Sequence, residues 1–163
     1  MRIDPMQPED WPLVKTIYEE GIATGQATFE TEAPEYESWD AAHLHDCRLV
    51  AKMDETVVGW AALSPVSSRC VYGGVAEVSV YIAASAREQG VGRTLLTALI
   101  NASEQAGWWT LQSTTFRENI ASIGLHKACG FREVGIRERI GQHHGVWRDT
   151  VLMERRSAVI GID

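Results

Sequence analysis

The chain has 163 residues, of which 45% are hydrophobic and 23% are charged, a composition typical of globular rather than disordered proteins. Its length predicts a single domain that spans residues 1–163. The net charge of −7 argues against nucleic acid or an anionic membrane as the main partner, although it leaves room for a local basic site.

The sequence indicates neither a membrane-spanning segment nor a secretory signal. No apolar run approaches the roughly 18 residues that cross a bilayer, and the N-terminal stretch MRIDPMQPEDW lacks an apolar core. Both features predict a cytoplasmic location. Cys47, Cys70 and Cys129 are odd in number and widely spaced, so we interpret them as reduced thiols.

The N-terminal half predicts strands and two helices. Residues 1–4 form a first strand, and residues 7–25 form a helix with Asp10 as its N-cap, because apolar residues recur there at helical spacing. A second, acidic helix begins near Pro34. Residues 48–65 predict a hairpin of two apolar strands.

The C-terminal half alternates strands and helices. Its predicted segments are a strand at 75–83, a helix at 91–107, a strand at 108–116 that includes Trp108 and Trp109, a helix at 118–130, and two strands at 131–140 and 146–155 joined by a polar loop at 141–145. The complete order, β-α-α-β-β-β-α-β-α-β-β, predicts an α/β fold with helices packed on the faces of a mixed sheet.

A motif suited to binding anions lies where the strand at 75–83 leads into the next helix. There Arg87, Gly90 and Gly92 form the pattern R-x-x-G-x-G. The first N–H groups of a helix lack acceptors within it, the helix dipole attracts anions, and glycine lets the backbone approach a ligand. The motif therefore predicts a cradle for a pyrophosphate. It matches neither a Rossmann fingerprint nor a P-loop, and a turn that only caps the helix remains the alternative.

This strand–loop–helix unit resembles motif A of the GNAT superfamily of acetyl-CoA-dependent N-acyltransferases, whose [Q/R]-x-x-G-x-[G/A] signature falls at residues 87–92. Residues 118–131 resemble a second superfamily segment, with Asn119 at its CoA-contacting asparagine. Further segments are similar to the phosphinothricin and methionine sulfoximine acetyltransferases, namely 17–34, 76–82 and 145–154. The resemblance implies the GNAT fold, acetyl-CoA as the cosubstrate, and a homodimer.

The resemblance also implies how acetyl-CoA would bind. The strand before the loop would splay from its neighbour, and its backbone at Val80 and Ile82 would bond the pantetheine amides. The N–H of Val80 would point at the thioester carbonyl as an oxyanion donor. The implied cofactor-binding residues are Val80, Tyr81, Ile82, Arg87, Glu88, Gln89, Gly90, Val91, Gly92, Arg93 and Asn119.

Two residues are candidates for proton transfer. Glu77 interrupts an apolar strand and matches the glutamate that is the proposed general base of the similar branch; a solvated glutamate is the alternative. His126 occupies the position at which many GNAT enzymes use a tyrosine as general acid, and an imidazole is chemically competent there. A histidine that merely packs near the cofactor is the alternative for His126. The other histidines form no pattern suited to a metal, so we predict none.

The acceptor site is predicted at the segment 64–74, which aligns with the substrate loop of the similar branch. Arg69 could pair with a substrate carboxylate, although a solvated loop arginine is equally compatible with the sequence, and the arginine of the relatives at the Ser67 position is absent. The implied substrate-binding residues are Phe29, Ser67, Ser68, Arg69, Tyr72, Glu77, Val78 and Ser79.

The predicted activity is the transfer of an acetyl group from acetyl-CoA to the amino group of a small amino acid or analogue. One alternative is a CoA-binding sensor without turnover. Another is an acetyltransferase whose acceptor is an aminoglycoside or a protein N-terminus.

Overall fold

The computed structural model describes residues 1–163 and contains one seven-stranded sheet. The strands are β1 (Arg2–Pro5), β2 (Leu49–Met53), β3 (Thr56–Pro65), β4 (Val75–Ile82), β5 (Thr110–Phe116), β6 (Arg132–His143) and β7 (Val146–Arg156). The helices are α1 (Trp11–Ala23), α2 (Tyr36–Ala42), α3 (Val91–Gln105) and α4 (Ile120–Ala128). The predicted fold class and the predicted order of strands and helices are confirmed.

The sheet contains a single pair of parallel neighbours. Its strand order is β1-β2-β3-β4-β5-β7-β6, and every neighbouring pair is antiparallel except β4 and β5. Parallel neighbours need a crossover connection, which α3 supplies here. In sheets of this kind, the carboxyl ends of parallel strands are a common place for ligands to bind.

Helices cover both faces of the sheet. On one face, the ring of Tyr18 in α1 stacks on Trp60 and Tyr81, with centroid distances of 5.6 and 4.9 Å. On the other face, Leu95 of α3 lies 3.4 Å from where a Cβ on Gly59 would be. Because successive residues of a strand point to opposite faces, Gly59 and Trp60 face different helices. Burial against both layers positions β3 and β4 firmly at the centre.

Two predicted boundaries need correction near the middle of the chain. The backbone is already extended at His43, with φ −116° and ψ 149°, so α2 ends at Ala42 and His45 lies outside it. Trp108 and Trp109 precede β5 rather than lying on it. The Trp109 indole instead fills the space beside two glycines, Gly74 and Gly161.

The C-terminal hairpin also differs from its prediction. Residues 141–143 belong to β6, so the predicted polar loop shrinks to the turn His144-Gly145, where both residues have positive φ. This places His143 in a strand, where it is buried.

None of the helices combines the length and the apolar character needed to cross a membrane. The three cysteines are free thiols.

Candidate functional site

A cleft of about 1080 Å³ opens where β4 and β5 separate. The two strands pair over only three positions, the last of which joins Glu77 to Gln112. Beyond that point β4 stays paired with β3, and β5 stays paired with β7. The cleft is therefore a fork in the sheet, and its walls are completed by the start of α3, by α4 and by the segment after α1.

The edge of β4 that faces the fork carries free backbone groups. The N–H of Ala83 donates to the carbonyl of Val58 at 2.8 Å, on the β3 side. Because successive N–H groups of a strand point to opposite edges, those of Val80 and Ile82 point into the fork, where no strand pairs with them. A ligand chain with amide groups can add to such an edge in the manner of an extra strand.

The turn into α3 presents a row of unsatisfied donors. No backbone N–H from residue 87 to residue 93 makes a hydrogen bond of normal geometry within the chain. Glu88 and Gly90 both adopt positive φ, at 61° and 80°, which curls the turn around these groups. Gly90 is the N-cap of α3, and glycine tolerates this left-handed conformation without strain.

Charge and close packing complete this turn. Arg87 and Arg93 are exposed on either side of the glycines. A Cβ on Gly92 would lie 3.2 Å from Leu125, so glycine allows the start of α3 to lie close against α4. Free N–H groups, a helix N-terminus and two cations together make this end of the cleft suited to a polyanion.

Glu77 lies at the branch point of the fork with one carboxylate oxygen anchored. Its Oε1 accepts hydrogen bonds from Gln112 Nε2 at 3.1 Å and from the Thr114 hydroxyl at 3.0 Å. No protein donor reaches Oε2. The carboxylate is thus fixed in orientation and keeps one oxygen that can accept a proton from a bound ligand.

His126, on α4, lines the cleft with a buried ring. Its Nδ1 lies 2.7 Å from the Ser122 carbonyl oxygen, which requires a proton on Nδ1. Burial lowers the pKa of His126, with the Ser122 carbonyl acting in the opposite direction. The ring is therefore neutral near pH 7, and its Nε2, which has no partner, is a hydrogen-bond acceptor.

Asn119 connects the start of α4 to the segment after α1. Its Oδ1 accepts from the Ser122 N–H at 3.2 Å and so caps α4, while its Nδ2 donates to the Gln26 carbonyl at 3.1 Å. The side chain lines the cleft, and one N–H of its amide remains free.

An aromatic wall closes the side of the cleft opposite the turn. Phe29 meets Phe116 edge-on, with ring centroids 4.6 Å apart. A Cβ on Gly141 would lie 2.6 Å from the Phe29 ring, so the hairpin of β6 and β7 packs directly behind this wall. Thr150, on β7, adds a buried hydroxyl without a partner.

Most residues predicted for the site line this one cleft. They are Phe29, Glu77, Val78, Ser79, Val80, Tyr81, Ile82, Arg87, Glu88, Gly90, Val91, Gly92, Arg93, Asn119 and His126. Gln89 does not line it, because its amide turns back to donate to the Ser85 carbonyl at 2.9 Å.

The predicted substrate loop is a correction to this picture. Ser67, Ser68, Arg69 and Tyr72 are absent from the walls of the cleft. The Arg69 guanidinium lies over the Tyr72 ring, 5.8 Å from its centroid, and both side chains are exposed. Within one chain, this loop therefore does not complete the acceptor side. No group of three or more His, Cys, Asp or Glu side chains is placed to hold a metal.

Three residues of the site escaped sequence reasoning. Gln112 and Thr114 fix Glu77, and the polar residues at alternate positions of β5 could have indicated a polar strand face. Arg148, on β7, holds the segment after α1 in place and carries no local sequence signal.

Comparisons with known proteins agree with this geometry. The model of the acetyltransferase (GNAT) family matches residues 14–131. The chain is 40% identical to the phosphinothricin N-acetyltransferase of Alcaligenes faecalis over 153 residues, which covers 90% of this chain and 78% of the relative.

Two solved structures are similar throughout. The crystal structure of a ribosomal-protein-alanine N-acetyltransferase from Brucella melitensis is 30% identical, with a TM-score of 0.89 over 96% of this chain and 100% of that one. The structure of a GNAT superfamily phosphinothricin acetyltransferase from Sinorhizobium meliloti in complex with AcCoA is 28% identical. Its TM-score is 0.87 over 95% of this chain and 87% of that one.

Proposed function

The chain belongs to the GNAT acetyltransferase family, and we propose that it transfers the acetyl group of acetyl-CoA to the amino group of a small amino acid or analogue of the phosphinothricin or methionine sulfoximine type. The observation that carries the proposal is a single cleft that holds free N–H groups from residue 87 to residue 93 and the half-free carboxylate of Glu77.

The residues of the cleft fit acetyl-CoA. The N–H groups of residues 88–93, with Arg87 and Arg93, would hold the diphosphate. The free edge of β4 at Val80 and Ile82 would bond the pantetheine amides, which run along it as an added strand. This arrangement directs the thioester toward the branch point of the fork.

Transfer is direct, within a ternary complex. Glu77 takes a proton from the acceptor ammonium or amine, the nitrogen attacks the thioester carbon, a C–N bond forms, and the C–S bond breaks to release the CoA thiolate. The N–H of Val80 donates to the carbonyl oxygen as negative charge develops there. Cys129, the cysteine nearest the cleft in sequence, ends α4 and does not line the cleft, so we assign it no acyl intermediate.

His126 is less suited to protonating the leaving thiolate than the resemblance implies. Its one proton in the neutral ring is used on the Ser122 carbonyl, and burial disfavours the doubly protonated ring. We expect His126→Asn, whose amide can still donate to Ser122, to keep kcat within about fivefold. A loss of about 100-fold or more would instead restore the general acid, because such groups contribute at least that much. Steady-state release of CoA measures the difference.

A sensor would need the turn but not a free carboxylate oxygen at the fork, so the position of Glu77 favours an enzyme. A panel of amino acids, phosphinothricin, methionine sulfoximine, an aminoglycoside and an alanine-terminated peptide, scored by release of free CoA, tests the choice. We expect the highest kcat/KM for a small amino acid or analogue. Release only with the peptide would move the acceptor to a protein N-terminus, and no release with any amine would contradict the proposal.

The homodimer stays a prediction. The edge strand β6 supports it, since most of its residues are exposed on both faces and include Val134, Ile136 and Ile140. Natural proteins rarely leave a long apolar edge uncovered. Sedimentation equilibrium should therefore give twice the chain mass of 18.1 kDa, and a monomer would contradict the prediction.

A further inference from the structure

The segment 24–29, which follows α1, forms part of the cleft wall without regular secondary structure. Ala27, Thr28 and Phe29 line the cleft. Within the segment, the hydrogen bonds are short-range ones such as the Gln26 N–H to the Thr24 hydroxyl. Its shape must therefore be held from outside. We infer that Arg148 is a positioning residue that holds this wall in the form that accepts the amine, an inference that rests on the proposed function.

The Arg148 guanidinium joins three parts of the chain. It donates to the Gly25 carbonyl at 3.2 Å and to Gln26 Oε1 at 2.7 Å, in the wall segment. It also donates to Glu118 Oε2 at 3.1 Å, in the connection between β5 and α4. Only 13% of the Arg148 side chain is exposed, so these bonds are largely shielded from water. One side chain thus ties the wall to the frame of the fork.

The same guanidinium also supports the far end of the wall. It lies over the Phe116 ring, 3.9 Å from the centroid, and Phe116 in turn meets Phe29 edge-on at 4.6 Å. Arg148 therefore holds residues 25–26 by hydrogen bonds and Phe29 through an aromatic neighbour. Arg148 does not itself line the cleft.

Arginine is the side chain that this arrangement needs. Its flat guanidinium has N–H groups in several fixed directions and a face that stacks on an aromatic ring. Lysine carries the same charge on a single nitrogen, so it can keep the pairing with Glu118 but cannot also stack on Phe116 and reach Gln26. Arg148→Lys separates charge from geometry, and Arg148→Met removes both.

The expected result is a split between the two substrates. The wall faces the acceptor, whereas acetyl-CoA is held at the opposite end of the cleft. We expect Arg148→Met to raise the KM of the acceptor at least about tenfold, because small displacements of positioning groups have effects of that size. The KM of acetyl-CoA should stay within about twofold, and Arg148→Lys should be intermediate. Arg132→Met, which removes an exposed arginine of β6, is the matched control.

A second measurement does not depend on turnover. Amide hydrogen exchange of residues 24–29 should quicken in Arg148→Met, while exchange in α3 and β3 stays as in the wild type. Equal rises in both KM values, or faster exchange throughout the chain, would mean that Arg148 only supports the fold. Unchanged exchange in 24–29 would overturn the inference. Failure of the proposed function would appear separately, as a wild type that acetylates no small amine.

Discussion

Replacing Glu77 by glutamine is expected to lower kcat by about 100-fold or more, while the KM of acetyl-CoA stays within about twofold. The two side chains have nearly the same shape, and the glutamine oxygen can still accept from Gln112 and Thr114. What the variant loses is the oxygen that takes a proton from the amine. Release of free CoA under saturating acetyl-CoA measures kcat, and a titration of acetyl-CoA gives its KM.

The pH dependence of the Glu77→Gln variant follows from the same argument. Without a base, only acceptor molecules that are already neutral can react. The residual kcat/KM for the acceptor should therefore rise about tenfold per pH unit until the pH reaches the amine's own pKa. Glu19→Gln, an exposed change on α1, is the control and should behave as the wild type. A Glu77→Gln enzyme with wild-type kcat at neutral pH would remove Glu77 from the chemistry.

The parts of this molecule that sequence could predict depend on short-range patterns. The apolar spacing of α1 and α3, the alternation along β4 and the R-x-x-G-x-G turn each involve residues that are close in the chain, and the structure has these elements in place. Glu77 could be selected because a charge in an apolar strand is costly unless it has partners or a task. Those partners, Gln112 and Thr114, lie 35 and 37 residues away, which no local pattern reveals.

The misplaced residues were set by long-range contacts. Arg148 meets Gly25 across 123 residues and Glu118 across 30, and its role exists only after β7 has paired with β5. Trp109 reads as a strand residue by propensity, but tertiary packing beside Gly74 and Gly161 takes precedence. The loop with Arg69 was assigned to the acceptor by resemblance, and within one chain its side chain lies over Tyr72 instead.

The second large effect is expected at the turn into α3. Replacing both Arg87 and Arg93 by glutamine should raise the KM of acetyl-CoA by about 100-fold, since one charge-assisted hydrogen bond contributes about 1.5–3 kcal/mol and 1.4 kcal/mol corresponds to a tenfold change. Both side chains are exposed, so salt already screens part of this attraction. The wild-type KM should therefore rise with ionic strength, and the KM of the double variant should respond less.

An acetyl donor without phosphates separates recognition from folding. The thioester of N-acetylcysteamine keeps the reacting end of the pantetheine arm but has no diphosphate to bind at residues 87–93. Its kcat/KM should be the same in the double variant as in the wild type, because Glu77 and the free edge of β4 are untouched. Arg2→Gln with Arg156→Gln makes the same change in net charge on exposed arginines elsewhere and should leave the KM of acetyl-CoA unaltered. If both donors weakened equally, the turn would serve the fold and not the diphosphate. A loss confined to acetyl-CoA would mean that its free N–H groups and two cations bind the substrate's anionic end.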